Sequence, residues 1–206
     1  MSVEFNLRRF GLYCGVIGPI LWLALIAGAG ALRPDFSHLT HYISELGERG
    51  SATEALIRYG AFGFTGFLYL CFAGALFATF RNGWLFRVAT FLIALDGVGR
   101  IGAGVFPCEA GCVQATAGPN LHTLFATLGF CSGILAAFLW AFLFRRVPAL
   151  KSLSLFSAAS GAVALLSLLL MSWAGDSALP SGLLEHLATV ALSVWLLVFA
   201  SRLVRL

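Results

Sequence analysis

Residues 121–144 read LHTLFATLGFCSGILAAFLWAFLF, a long run that contains no Asp, Glu, Lys or Arg. As a helix this run would extend about 36 Å, which is enough to cross a hydrocarbon core about 30 Å thick. Backbone polar groups in lipid must find hydrogen-bond partners within their own element, and barrel strands would be shorter and would alternate in polarity. The run is therefore predicted to be a membrane-spanning helix.

The rest of the chain repeats this pattern. Of its 206 residues, 60% are hydrophobic and 11% are charged, whereas a soluble domain has about 25% charged residues. The mean hydropathy is +0.93. These values predict an all-α fold, a six-helix membrane bundle that occupies residues 1–206 as a single integral membrane domain. The predicted helices cover residues 10–32, 56–80, 85–106, 121–144, 153–174 and 183–203.

Basic residues are distributed unequally between the two ends of the predicted bundle. Nine lie at one end, three lie at the other, and Arg100 falls inside a helix. Cytoplasmic connections of membrane proteins carry an excess of Lys and Arg. Both termini are therefore predicted to be cytoplasmic, and the net charge of +4 reflects topology, so we expect no nucleic-acid partner. The nine are Arg8, Arg9, Arg81, Arg87, Arg145, Arg146, Lys151, Arg202 and Arg205, and the three are Arg33, Arg49 and Arg58.

Two opposite charges interrupt the predicted helix 85–106. Asp96 and Arg100 are four residues apart and therefore share one helix face. They would lie about 15 Å and about 9 Å from the outer end of the helix. A charge at such depth costs about 2.5–3.5 kcal/mol on insertion scales, so both must face the bundle interior or water. Two interpretations remain open: an ion pair that locks the bundle, and a functional cavity.

The predicted outer end collects the polar residues that could carry chemistry. All four histidines map to this end, two of them in the stretch HLTHYISELGERGS at residues 38–51. We predict that Tyr42, Ile43 and Leu46 of this stretch dip toward lipid while Ser44 and Glu45 turn toward the bundle. A solvated loop is the alternative. The candidate catalytic residues are Ser44, Glu45, Asp96, His122 and His186, and the candidate substrate-binding residues are His41, Arg100 and Glu109.

These side chains allow two kinds of catalysis. Asp96, His122 and His186 could ligate Zn²⁺ and leave an open position for an activated water. Alternatively, Ser44 could act as a nucleophile with a histidine as its base. No HExxH or GxSxG motif occurs in the chain, so the cofactor stays unknown, with zinc as one option.

Two cysteines lie close together in PCEAGC at residues 107–112. The segment falls at the predicted outer end, where an oxidising compartment permits a disulfide between Cys108 and Cys112. A cysteine-based metal site is the alternative. Separately, small residues four apart, such as Gly129 and Gly133, are typical of close helix packing. They fit packing within one chain or the face of a homo-oligomer.

Three elements resemble the domain-of-unknown-function family 998, which comprises six-helix membrane proteins of bacteria and archaea. They are HYISELG at residues 41–47, GVFPCE at 104–109, and a histidine that opens the fourth helix, His122. Family members usually carry Pro-x-Asp where this chain has Pro107-Cys108-Glu109. The resemblance implies a multi-pass protein of the bacterial cell (inner) membrane.

The YISELG element is also similar, more distantly, to the PYISD-x-G element of the damage-regulated autophagy modulator family. The proline of that element is replaced by His41 in this chain. Relatives of that group are linked to the remodelling of lipid-anchored proteins. Neither family supplies an established catalytic residue.

Two functional hypotheses follow. The first is a membrane-embedded, hydrolase-like enzyme that acts on a lipid or lipid-like substrate at the outer leaflet. The second is a non-enzymatic scaffold that binds lipids or supports assembly, in which Asp96 and Arg100 form a structural lock. Membrane lipids are the expected partners under both hypotheses. A transporter is less favoured, because the two halves of the chain show no repeat.

The charge asymmetry generates a topology prediction. Reporter fusions placed after Leu206 and within residues 145–151 are expected to report a cytoplasmic location. Fusions within residues 107–120 are expected to report the opposite side, because basic connections are retained in the cytoplasm. The measurement is the paired activity of reporters that are active on only one side of the membrane. A cytoplasmic signal from a fusion at Gly111 would contradict the predicted orientation.

Overall fold

The computed structural model describes residues 2–109, 112, 120–174 and 180–206. Within these ranges the chain is helical and contains no β-strand. The α-helices are α1 (Ser2–Leu32), α2 (Thr65–Thr79), α3 (Trp84–Val105), α4 (Leu121–Phe144), α5 (Ser154–Ala174) and α6 (Ser181–Val204). A π-helix (Leu56–Phe64) leads into α2, and short 3₁₀ helices cover Ile43–Gly47 and Pro148–Leu153.

Six helical segments of the described chain are long and apolar enough to cross a membrane. They coincide with the six blocks predicted from the sequence, so the predicted six-helix membrane bundle is confirmed. The first helix begins earlier than predicted, at Ser2, because the polar residues before the apolar block continue the same helix. The second span combines the π-helix with α2.

The helices pack as a closed ring in chain order. Each helix contacts the next one along the chain, and α6 returns to pack against α1. The most extensive interface joins α3 and α4, followed by the interface of α1 and α2. We call the end at which α1 and α3 finish and α4 and α6 begin the histidine end, because the histidines lie at or near it. The opposite end carries the 3₁₀ helix Pro148–Leu153.

Glycines let the backbones of α2, α3 and α4 touch. A Cβ atom placed on Gly97 of α3 would lie 2.7 Å from the carbonyl oxygen of Gly66 in α2. A Cβ atom on Gly99 would lie 2.5 Å from the backbone nitrogen of Gly129 in α4. Such contacts leave no room for a side chain, as expected where small residues bring helices together in lipid. Gly129 and Gly133 both face Asp96, so this small-residue pair packs within the chain.

Apolar side chains fill the bundle in two clusters. The larger cluster is built around aromatic residues such as Phe72, Trp140, Phe144 and Phe199. The smaller cluster lies at the histidine end. Its members are Trp22, Ile26, Ala29, Ile43, Leu46, Ile57, Ala61, Phe62 and Ala103. Part of its apolar surface therefore comes from the connection between α1 and α2.

The π-helix positions a cation at the end of α3. Arg58 donates from Nε to the carbonyl oxygen of Gly104 at 2.9 Å and from Nη2 to that of Val105 at 3.3 Å. A cation near unpaired carbonyl groups stabilises a helix C-terminus. Glu54 pairs with Arg58. The Gly50 amide and the Arg58 guanidinium both hold the pKa of Glu54 below its usual value.

Candidate functional site

The connection between α1 and α2 folds over the histidine end as a cap, which we define as residues 33–55. Ile43 and Leu46 of its 3₁₀ helix are 2% and 0% exposed and pack inside the bundle. The prediction that these two residues face lipid is therefore wrong. The cap covers the open end of the helix ring, so its apolar residues find their burial in the interior.

The first turn of α6 anchors the cap. The Ile43 amide donates to Oε2 of Glu185 at 2.7 Å, and the Leu183 amide donates to the Leu39 carbonyl oxygen at 3.0 Å. Gly182 lies so close to the His41 backbone that a Cβ atom would be 2.4 Å from the His41 carbonyl oxygen. The cap is therefore fixed to the helix that supplies one wall of the bundle.

Ionic contacts hold the other side of the cap. Arg33 donates from Nη1 to the Glu45 carbonyl oxygen at 2.8 Å and pairs with Glu48 at 3.2 Å. A shorter pair with Asp35 holds the pKa of that exposed carboxyl group below its usual value and raises the pKa of Arg33. The Glu45 side chain accepts the Tyr42 amide at 2.7 Å. Glu45 thus caps the N-terminus of the 3₁₀ helix.

A disulfide between Cys108 and Cys112 lies against the cap. The Cys108 carbonyl oxygen accepts the Arg49 amide at 3.1 Å, and the Ser44 hydroxyl lies 3.2 Å from the Cys112 sulfur. Within the described residues, the Ser44 hydroxyl therefore lies against the disulfide and makes no hydrogen bond to a histidine. This geometry does not provide the serine–histidine pair that the nucleophile hypothesis requires.

Beneath the cap lies a cavity of about 40 Å³. A buried water needs about 10–15 Å³ on this measure, so about three or four waters would fill it. Its polar lining comes from the cap, α3, α4 and α6, and consists of Ser44, Asp96, Arg100, His122, Glu185 and Thr189. Aromatic and aliphatic side chains, including Trp22, Phe62 and Phe125, complete the wall. The cavity brings together four residues predicted from the sequence: Ser44, Asp96, Arg100 and His122.

Among the described residues that line this cavity, Arg100 is the only Lys or Arg. Its Nε donates to Oδ1 of Asp96 at 3.0 Å. The guanidinium carbon lies 4.2 Å from the centre of the Trp22 ring and 4.5 Å from that of the Tyr69 ring. Cations over aromatic faces are stabilised when water is excluded. Asp96 and Arg100 are 8% and 9% exposed, so the pair is buried with aromatic rings against the cation.

One donor of this guanidinium is unused. Nη1 of Arg100 is buried and has no hydrogen-bond partner within the described residues. An unpaired buried donor on a charged group is costly, since it has lost its water without gaining an acceptor. Arginine binds carboxylate and phosphate groups through such N–H donors. An acceptor oxygen that reached Nη1 would satisfy this nitrogen.

His122 enters the cavity from the first turn of α4. Its Nδ1 lies 3.1 Å from the Ala103 carbonyl oxygen and 2.9 Å from that of Phe106. Carbonyl oxygens only accept, so Nδ1 carries the proton and Nε2 is the basic nitrogen of the neutral ring. The ring is thus held in the tautomer that a general base requires.

Four of the predicted site residues lie outside this cavity. His186 is bonded through Nε2 to Nδ1 of His38 at 2.8 Å and through Nδ1 to the Gly182 carbonyl oxygen at 2.8 Å. Glu109 forms an exposed pair with Arg49 at 3.2 Å. The remaining two are His41, whose Nδ1 accepts the Ser37 amide, and Glu45, which closes the 3₁₀ helix.

The proposed zinc ligands do not converge. No group of three or more His, Cys, Asp or Glu side chains among the described residues is placed to hold a metal ion. Asp96 and His122 line the cavity, whereas both ring nitrogens of His186 are already engaged beside the cap. The structure therefore gives no geometric support for a zinc site formed by Asp96, His122 and His186.

Three residues of the site were not predicted from the sequence. Glu185 and Thr189 line the cavity in place of His186, and Trp22 covers Arg100. Glu185 carries a weak signal, since it is an acidic residue at the start of an apolar block. Trp22 and Thr189 carry none, because they read as ordinary residues of a membrane helix.

The fold defines a multi-pass membrane protein of six helices, with a cavity beneath a cap at its histidine end. The family model described as "Protein of unknown function (DUF998)" matches residues 16–202. The chain is therefore a member of the DUF998 family, as its sequence elements predict. No curated protein and no solved structure matches the chain. The more distant resemblance to the autophagy modulator family stays a prediction.

The buried pair generates a stability prediction. Asp96→Asn and Arg100→Gln are each expected to destabilise the protein by about 3–5 kcal/mol, because either change strands one buried charge. The double variant is expected to be more stable than either single variant. The measurement is thermal unfolding of the purified protein in detergent.

The exposed pair of Arg49 and Glu109 provides the matched control, since its side chains are 59% and 57% exposed. Arg49→Gln and Glu109→Gln are expected to change stability by less than about 1 kcal/mol. Single variants at Asp96 and Arg100 that unfold at the wild-type temperature would show that this pair is not buried as described.

Proposed function

We propose that this protein is a membrane-embedded, hydrolase-like enzyme that acts on a lipid or lipid-like substrate. The observation that carries the proposal is the set of side chains that line the cavity beneath the cap. The cavity holds a histidine fixed in one tautomer, two carboxylates, and a guanidinium with an unused donor. General acid–base groups beside a preorganised cation are the arrangement that hydrolytic reactions use.

In this proposal water is the nucleophile. Nε2 of His122 accepts a proton from a cavity water as the water oxygen bonds to the carbonyl carbon or phosphorus of the substrate. Arg100 stabilises the negative charge that develops on the substrate oxygen through its free Nη1 donor. The bond to the leaving oxygen then breaks, and the imidazolium of His122 returns the proton to that oxygen. The volume of the cavity is sufficient for the nucleophilic water.

A lipid or lipid-like substrate fits the surroundings of this chemistry. The cavity opens within a bundle of membrane-spanning helices, and its apolar lining includes Phe62, Phe125, Phe130 and Leu192. The headgroup would enter at the histidine end, under the cap. The charge asymmetry of the connections predicts that this end faces the outer leaflet.

A second candidate is a non-enzymatic scaffold that binds lipids or supports assembly. It is favoured by the way Arg100 is already held between Asp96, Trp22 and Tyr69, which would also suit a structural lock. In that case His122 would serve only to join α4 to the end of α3 through the carbonyl oxygens of Ala103 and Phe106.

His122→Asn separates the two candidates. The Asn side-chain amide can replace the Nδ1–H donor of histidine but supplies no basic nitrogen. We expect this variant to fold and to lose turnover by about 10²–10⁴-fold. The measurement is mass spectrometry of products after the purified protein is reconstituted in vesicles of a total bacterial polar lipid extract.

His38→Asn is the matched control, because His38 lies outside the cavity and, among the described residues, its side chain hydrogen-bonds only to His186. It is expected to retain wild-type turnover. Absence of any lipid product with the wild-type protein, or turnover that His122→Asn leaves unchanged, would contradict the enzyme proposal and favour the scaffold.

A further inference from the structure

We propose that the cavity takes a zwitterionic headgroup, in which an anionic oxygen group binds Arg100 and a neighbouring ammonium group binds Glu185. This inference rests on the proposed function and names the chemical class of its substrate. It follows from the charged groups of the cavity, the hydrogen-bond partners of Glu185, and the positions of Arg100 and Glu185, which we call the two anchors.

Two carboxyl groups but only one Lys or Arg side chain line the cavity among the described residues. Asp96 and Arg100 neutralise each other at 3.0 Å. Glu185 has no such partner, since every ion pair of the described residues involves other carboxylates. An anionic ligand bound to Arg100 would therefore lie in the same cavity as an unpaired carboxyl group, and a positive group on the same ligand would stabilise the ionised form of that carboxyl group.

Glu185 has room for a cation. Its Oε2 accepts the Ile43 amide at 2.7 Å, and its Oε1 makes no hydrogen bond within the described residues. Glu185 is half-buried and lines the cavity. An ammonium group can donate to Oε1 while the contact with the cap stays intact. Aromatic rings, among them Phe62 and Phe125, line the same cavity, and aromatic faces are suited to a cation.

The two anchors lie on different helices at similar depth. Arg100 is about 7.5 Å from the last residue of α3, and Glu185 is about 6 Å from the first residue of α6, counted along the helix axes. Both helices have these termini at the histidine end. A ligand that enters under the cap would thus meet a cationic and an anionic side chain on opposite walls.

The cap limits the size of the group that is admitted. The cavity of about 40 Å³ has room for an ammonium group and an oxygen, each of which is close to the size of a water. The remainder of a headgroup requires the cap to move. Glu185 accepts a hydrogen bond from the cap and, in this proposal, binds the ligand as well. The ammonium group would therefore be recognised by the same side chain that holds the cap on α6.

Lipid retention in nanodiscs tests the inference. The wild-type protein is reconstituted with equal amounts of phosphatidylethanolamine and phosphatidylglycerol that carry the same acyl chains, and bound lipids are counted by native mass spectrometry. We expect about a tenfold preference for phosphatidylethanolamine, the effect of one charge-assisted hydrogen bond. Glu185→Gln should remove this preference, because the amide keeps an acceptor for Ile43 and loses the charge. The double variant Asp96→Asn with Arg100→Gln, which strands no single charge, should weaken retention of both lipids.

A second experiment, with soluble probes, distinguishes binding of a lipid from binding of a free ligand. Phosphoethanolamine, glycerol 3-phosphate and ethanolamine are compared by the shift that each causes in the thermal unfolding of the protein in detergent. Stabilisation by phosphoethanolamine without preference for the matching lipid would assign the site to a free zwitterion. Glu109→Gln, at the exposed pair outside the cavity, is the control and should behave as the wild type in both experiments.

Equal retention of the two lipids together with equal effects of the soluble probes would overturn the inference. So would a preference that Glu185→Gln leaves unchanged. Neither result bears on the hydrolytic proposal, which is read separately from the turnover of His122→Asn. Loss of the lipid preference in Glu185→Gln with turnover still dependent on His122 would support both.

Discussion

The constraint on which the structure depends is the presence of a guanidinium group inside a membrane-spanning bundle. Arg100 lies about 7.5 Å below the end of α3, where a charge without a partner would be unfavourable. Three helices meet this need: α1 supplies the Trp22 ring, α2 supplies the Tyr69 ring, and α3 supplies the carboxylate of Asp96. Backbone contacts through Gly97 and Gly99 bring α2 and α4 close enough to complete the enclosure.

The cap covers the buried pair of Asp96 and Arg100 at the histidine end. Its 3₁₀ helix inserts Ile43 and Leu46 into the apolar cluster at the histidine end, and its backbone bonds to Glu185. Glu185 therefore belongs both to the closure of the bundle and to the wall of the cavity. A ligand that binds Glu185 would contact the same side chain that holds the cap through Ile43.

The sequence predicts the helices and the central pair well, because both depend on one-dimensional signals. Apolar length defines the six spans, and Asp96 with Arg100 stands out since charges within an apolar block must have partners. The sequence predicts less about side-chain direction. Adjacent residues on a helix differ by about 100°, so the choice between Glu185 and His186 depends on a rotation of α6 that no local pattern determines. Whether the Ile43 side chain faces lipid or the interior likewise depends on the space that the helix ends leave for the cap, which the sequence does not show.

The central claim is that the free edge of the Arg100 guanidinium binds a ligand oxygen in the membrane. The most direct test is an experimental structure of the protein in lipid nanodiscs, at a resolution that separates bound lipid headgroups from water. We expect non-protein density beneath the cap, with an acceptor atom within hydrogen-bond distance of Nη1 of Arg100. A guanidinium whose Nη1 donates to a side chain or carbonyl oxygen of the protein itself, in a cavity that holds only water, would contradict this claim.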